Sequence, residues 1–183
     1  MLSSKWSDSI HTENGDDFDI QWLLKPYNVT AALKEHYDTI ELELLSQQEQ
    51  ALSIYEQTHI TQKTALVREI YLKHDHDALT YGRVIFSNHA YETLKDRIDT
   101  LGTKPIGQHL FYKHKFNRSN FKYARLDTKN VLLMNACRRL NDGLLEKIEY
   151  AYSRHSIFSP PNDSNCLISL HEVFFPWLKK YIA

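Results

Sequence analysis

The chain has 183 residues, 42% of them apolar and 25% charged, which is ordinary usage for one domain with a single buried core. A formal net charge of −1 supplies no overall basic field for nucleic acid. No apolar run approaches the roughly 20 residues of a membrane helix, and no charged-then-apolar leader opens the chain. A cytoplasmic protein without membrane insertion is therefore expected. Cys137 and Cys166 form neither a CxxC pair nor a zinc spacing, which points to reduced thiols. Among ten histidines, His74 and His76 of "KHDHD" are the best metal candidates. They sit between two strand-like runs, where Asp and His are common turn residues, so no metal is expected.

Residues 1–17 are polar and aperiodic and read as a flexible arm before a single domain over 18–183. "FDIQWLLK" and "NVTAALKEHY" read as two short helices broken at Pro26, with Asn28 capping the second. "TIELELL" alternates as a strand with Ile40, Leu42 and Leu44 on one face, and "ALSIYEQ" is expected to pair with it. "TALVREIYLKH" and "ALTYGRVIFS" form a hairpin around "DHD". Ser87 or Asn88 then caps a helix to about Ile98.

"TLGTKPIGQHLF" follows, with two of the five glycines and one of the five prolines between Gly102 and Gly107. Such a stretch is either a plain turn or a backbone shaped to present amides to a ligand. "PIGQHLF" reads as a short helix with Pro105 at its first turn. "NFKYARL" is a strand, and Lys129–Leu140 has amphipathic helical spacing. "EKIEYAYSRHSIF" and "NCLISLHEVFF" close the chain as strands around "SPPNDS". Successive hairpins with helices between them predict an α+β domain built on a single antiparallel sheet with flanking helices.

Two charges break the pattern. Leu66, Arg68, Ile70 and Leu72 share one side of their strand, and Cys166, Ile168, Leu170, Glu172 and Phe174 share one side of theirs. A charge in such a row points toward the core, and burying it unpaired costs roughly several kcal/mol. Either Arg68 and Glu172 pair with each other or reach water at the sheet ends, or they face an apolar cavity for a small acidic ligand. Arginine suits the second case because its planar fork grips a carboxylate through two hydrogen bonds.

In order, "WLLKPYNVT", "LVREIYL", "YGRVIFS", "LGTKPIGQHLF", "YSRHSIF" and "LISLHEVFFP" resemble the chorismate lyase family, the 4-hydroxybenzoate-forming enzymes of bacterial ubiquinone synthesis. The match runs from about Trp22 to Pro176. The resemblance implies a lyase converting chorismate to 4-hydroxybenzoate and pyruvate without cofactor. It places the guanidinium that holds the ligand carboxylate on Arg68 and the carboxyl group that meets the ring hydroxyl on Glu172. Both are then the catalytic residues. Two main-chain contacts fall on Val29 and Ile106, where the family usually has Met and Leu. "TLGTKPIGQHLF" becomes a lid whose backbone donates to the ligand.

Residues 127–147 read as a helical insertion relative to shorter members. Arg83 of the Gly82–Arg83 pair is either a second cation on the route to the pocket or a supporting residue. The expected partners are the small-molecule substrate and product alone, and a monomer is expected. The alternative is a non-catalytic domain of the same fold that binds a small acid as effector. A regulator of that kind is expected to carry an N-terminal DNA-binding domain, where here about twenty mostly polar residues precede Trp22.

Overall fold

The computed structural model describes residues 6–10, 28–140 and 147–181. The helix expected over "FDIQWLLK" lies outside the described residues. The chain forms α1 (Val29–Lys34), β1 (Glu41–Ala51), α2 (Ile54–Gln57), β2 (Thr64–His74), β3 (Asp77–Phe86) and α3 (Asn88–Asp99). A π-helical turn (Gly107–Tyr112) follows, then β4 (Asn117–Arg118), β5 (Lys122–Asp127), α4 (Val131–Cys137), β6 (Tyr150–Ser159) and β7 (Ile168–Phe174). A closing 3₁₀ segment covers Pro176–Tyr181.

All seven strands join one antiparallel sheet in the order β1-β2-β3-β7-β6, with β4 and β5 both beside β6. The predicted α+β architecture is what the chain adopts. The β2–β3 hairpin turns where predicted, with Asp75 at φ 51°, a left-handed conformation that a short polar side chain tolerates. Asn28 caps α1 by accepting from the Ala31 N–H at 3.2 Å, and Ser87 caps α3 by accepting from the Ala90 N–H at 3.1 Å.

Two local expectations are corrected. "ALSIYEQ" is no strand: β1 runs through Ala51, and α2 begins at a capping box. Ser53 accepts from the Glu56 N–H while the Glu56 carboxylate accepts from the Ser53 N–H at 2.7 Å, so both donors that open the helix are satisfied reciprocally. In addition, β1 carries a bulge between Leu44 and Ser46. The extra residue reverses the alternation, so Leu45 is buried while Leu44 is 36% exposed. The stripe of Ile40, Leu42 and Leu44 therefore ends early, and Gln47 takes the position opposite Arg68.

Of the arm expected over residues 1–17, residues 6–10 are described, and they lie against the domain. Ser7 exchanges two backbone hydrogen bonds with Tyr123 at 2.9 and 2.8 Å, and Trp6 stacks on Tyr55 with centroids 4.9 Å apart. Backbone pairing and one aromatic ring suffice for this, which is why polar composition conceals it.

The helices divide between the two faces. On one face α1 covers one end, where Leu33 packs with Leu72 and Phe174. The other end is covered by α3 and the π-helical turn, where Leu94, Ile98, Leu110 and Phe111 pack on Val84, Phe158 and Ile168. Leu33, Ile98 and Phe111 are essentially inaccessible, and burial of each stabilises the fold by roughly 1.5–3 kcal/mol. The opposite face packs against α4, whose Leu133, Ala136 and Cys137 meet Tyr71, Tyr81 and Val173. Between the two covered ends of the first face a cavity remains.

Candidate active site

Strict alternation along β2 and β7 sends Arg68, Ile70, Leu72, Leu170 and Glu172 into that cavity, as their spacing predicts. α1 contributes Val29 and the segment before the π-helical turn contributes Ile106. The structure thus brings Val29, Arg68, Ile106 and Glu172 to one cavity. Gly82, on β3 between Ile70 and Glu172, keeps its floor open: a Cβ there would come within 3.0 Å of Ile70 Cγ1.

Arg68 is 1% exposed. Its Nη1 donates to Gln47 Oε1 at 2.8 Å, and its Nη2 donates to the carbonyl oxygens of Gly102 at 2.7 Å and Lys104 at 3.4 Å. Among the described residues no carboxylate lies within ion-pair distance of it. Burial lowers the guanidinium to about 10, which leaves it charged at neutral pH. Neutral carbonyls orient this cation without cancelling its charge. Gly102 can turn its carbonyl toward Arg68 because it adopts φ 53°, a conformation open to glycine. The loop from Thr100 to Phe111 therefore supplies acceptors that hold an arginine, a role that neither sequence reading of it included.

Glu172 does not pair with Arg68. The two stand on non-adjacent strands, separated by β3 and so by two strand spacings, roughly 10 Å. Across the sheet Glu172 faces Gly82 on one side and Arg154 on the other. Arg154 Nε donates to Glu172 Oε2 at 2.5 Å. Arg154 is itself 1% exposed and lines the cavity, together with Arg118 and Phe121. These three were not among the expected site residues. The signal for Arg154 was present in "YAYSRHSIF", where Tyr152, Arg154, Ser156 and Phe158 alternate onto one side. Arg118 ends the two-residue β4 and Phe121 lies in the connection before β5, so no alternation marks either of them.

Arg83 lies elsewhere. As the neighbour of Gly82 it points to the opposite face of the sheet, buried, where Nε donates to Glu56 at 2.7 Å and Nη1 to Glu69 at 3.2 Å and to Gln50 at 2.7 Å. It is a supporting residue of that face and not a cation on the route to the cavity. His74 of the metal candidate pair rests against the Thr39 carbonyl at 2.9 Å and the Tyr37 ring.

Solved structures share this fold at low identity. The C-terminal domain of PhnF aligns with a TM-score of 0.55 at 12% identity, covering 90% of this chain and 94% of that one. The C-terminal domain of the histidine utilization repressor from Pseudomonas syringae pv. tomato aligns with a TM-score of 0.50 at 6% identity, covering 75% and 92%. Curated relatives are nearer in sequence. The "Probable chorismate pyruvate-lyase" of Pseudoalteromonas translucida is 27% identical over 133 residues, 72% of this chain and 73% of that protein. The protein of the same name from Shewanella loihica is 24% identical over 163 residues, 88% of this chain and 81% of its own length. No helix among the described residues is long and apolar enough to cross a membrane. The family model described as chorismate lyase matches residues 4–178, nearly the whole chain including the strands that carry Arg68 and Glu172, and the chain belongs to that family.

Proposed function

We propose that the protein converts chorismate to 4-hydroxybenzoate and pyruvate, the step that supplies the aromatic ring for ubiquinone synthesis. The observation that carries this reading is Arg68: a buried guanidinium facing a largely apolar cavity, held by neutral oxygens and short of a carboxylate among the described residues. Such a group is completed by an acid, and a two-pronged carboxylate contact is the one its geometry favours. In this reading Arg68 anchors the ring carboxylate. Glu172, two strands away, meets the ring hydroxyl while Arg154 keeps its carboxylate oriented. The main-chain N–H groups of Val29 and Ile106 donate to the ligand from the two covered ends of the cavity.

The chemistry asks little beyond placement. The ring C–O bond to the enolpyruvyl group breaks, the neighbouring ring carbon loses its proton, and that proton ends on the enolpyruvyl methylene carbon to give pyruvate. The ring becomes aromatic, which supplies the driving force. The protein contributes a fixed orientation and charges that need no reorganisation in a site shielded from water. A second reading, a non-catalytic domain that binds a small acid, draws on the shared fold of the repressor domain. Mixing purified protein with chorismate and following the absorbance of 4-hydroxybenzoate separates the two. Turnover that falls about a hundredfold in Glu172→Gln, in line with the loss of a group that handles a proton, supports the lyase; binding without turnover supports the effector domain.

A further inference from the structure

Ser156, on β6, carries a hydroxyl that is buried and turned to the cavity. The residue is 1% exposed and lines the cavity, and its Oγ has no hydrogen-bond partner among the described residues. Two other buried side-chain atoms share that condition, on His59 and His171, but they are ring nitrogens grouped with His155 on the opposite face. A hydroxyl withdrawn from water without a partner costs free energy. Serine commonly avoids this by bonding a nearby main-chain group, and Ser156 does not. The register places it within the site. Cross-strand partners run Arg68, Val84, Leu170, Ser156, and all four line the cavity. Arg68 and Ser156 are thus the polar ends of one row with an apolar floor between them, three strand spacings or roughly 14 Å apart. Glu172 is the diagonal neighbour of Ser156, two residues beyond its partner Leu170 on β7. Such diagonal pairs stand roughly 7–8 Å apart, and here the two side chains make no hydrogen bond to each other. They flank the same end of the cavity.

We infer that Ser156 is a further ligand-binding residue, whose O–H donates to the oxygen of the ring hydroxyl that Glu172 meets. The inference rests on the lyase reading and deepens its account of how the ring is recognised. A ring hydroxyl has one hydrogen to donate and lone pairs with which to accept. Glu172, whose Oε2 accepts from Arg154 Nε at 2.5 Å, takes the hydrogen, and a carboxylate can satisfy only that half of the group. Ser156 supplies the donor for the other half. The ring then lies over Val84 and Leu170, with its carboxylate at Arg68 and its hydroxyl between Glu172 and Ser156. Substrate and aromatic product carry the same hydroxyl, so the contact serves both. An acid without the hydroxyl leaves Ser156 Oγ unpartnered in a buried site, which is how a pocket built to hydrogen-bond a ligand rejects the analogue lacking that group. Ser156 is thus a specificity-determining residue for the hydroxylated ring.

The test compares Ser156→Ala with the parent protein by calorimetric titration of 4-hydroxybenzoate and of benzoate, beside a melting curve for each protein. Removing a hydroxyl that the chain leaves unpartnered should keep Tm at or above the parental value. Affinity for 4-hydroxybenzoate should fall about fivefold, the loss expected for one neutral hydrogen bond, while affinity for benzoate changes less than about twofold. A variant that keeps the full parental preference for 4-hydroxybenzoate over benzoate, or that loses both acids equally, overturns the inference. A variant that melts well below the parent overturns it as well, because the hydroxyl then has a partner within the chain. A parent that binds 4-hydroxybenzoate without turning over chorismate overturns the lyase reading alone, and the comparison of the two acids still decides Ser156. A parent that binds neither acid overturns both.

Discussion

Arg68 and Arg83 are both almost fully buried, on adjacent strands and on opposite faces of one sheet. Their surroundings differ in one respect. Arg83 meets two carboxylates, Glu56 and Glu69, with Gln50 as a third acceptor, whereas Arg68 meets one amide and two main-chain carbonyls. The charge states follow. Burial works to lower Arg83, but the carboxylates overcome it and hold the group above its usual value. At Arg68 nothing opposes burial, and the guanidinium falls to about 10. Further polar and aromatic contacts gather on the face around Arg83. Tyr81 donates to Glu69, and His155 and His171 stack with centroids 4.3 Å apart beneath Trp6 and Tyr55. One face meets its cation with carboxylates, whereas on the other the cation meets only neutral oxygens among the described residues. Burial is the same for the two arginines; their partners are what differ.

The sharpest way to break this comparison is to remove each arginine in turn. Arg83→Leu leaves the buried Glu56 and the half-buried Glu69 without their cation, and breaking a buried pair costs roughly 3–5 kcal/mol. Chemical unfolding should show a fall of that size. A variant as stable as the parent would mean that the two carboxylates do not depend on Arg83.

Acid probes the same face. Burial, followed by the neighbouring charges of His171 and His59, lowers His155 to about 2, and burial with Arg83 and His59 lowers His171 to about 3. Both are neutral in the fold and protonate in the unfolded chain near the ordinary 6.5. Their contribution is fully present above that value and is lost as pH falls below it, because the unfolded state then binds more protons. Each group contributes a slope of about 1.4 kcal/mol per pH unit in that window. Glu56, Lys122, His59 and Arg83 surround the pair, so the check is a difference. His171→Phe should flatten the decline in stability between about pH 6 and pH 4. An unchanged slope would remove His171 as its source.

On the cavity face the effects are smaller and fall on ligand binding. Arg68→Lys keeps the charge and loses the fork, so binding of 4-hydroxybenzoate should weaken about tenfold or more. Its melting temperature should move far less than that of Arg83→Leu. Parental affinity in a folded Arg68→Lys protein would make Arg68 structural and erase the contrast between the faces.

The smallest effect is expected at Ile106. If its contribution is the main-chain N–H, Ile106→Leu alters shape alone and should change stability and product affinity by less than ~1.5 kcal/mol. Ile106→Pro removes the donor and should weaken binding sharply. If Ile106→Pro melts normally and binds 4-hydroxybenzoate as the parent does, the backbone donation fails.

Periodicity by itself determined a good part of this. The long strands β2, β3 and β7, the helix after Ser87 and the shared faces of Arg68 and Glu172 are local properties. Side chains alternate along any strand, and capping residues act on the next turn of chain. The "S-x-x-E" of Ser53–Glu56 was legible in the same local sense, although the apolar residues around it read as a strand. The likeness to a family pointed further, to four residues that the fold then gathers around one cavity. What each charge meets was decided by tertiary structure alone. Glu172 pairs with Arg154 because β7 lies beside β6, and Arg68 finds Gln47 because β1 lies beside β2. Strand order is a property of how distant segments assemble, and no alternation within a segment encodes it. The bulge at Leu45 and the Gly102 carbonyl turned toward Arg68 are of the same kind. A single inserted residue reverses a face, and a loop's acceptors point wherever packing against another element sends them.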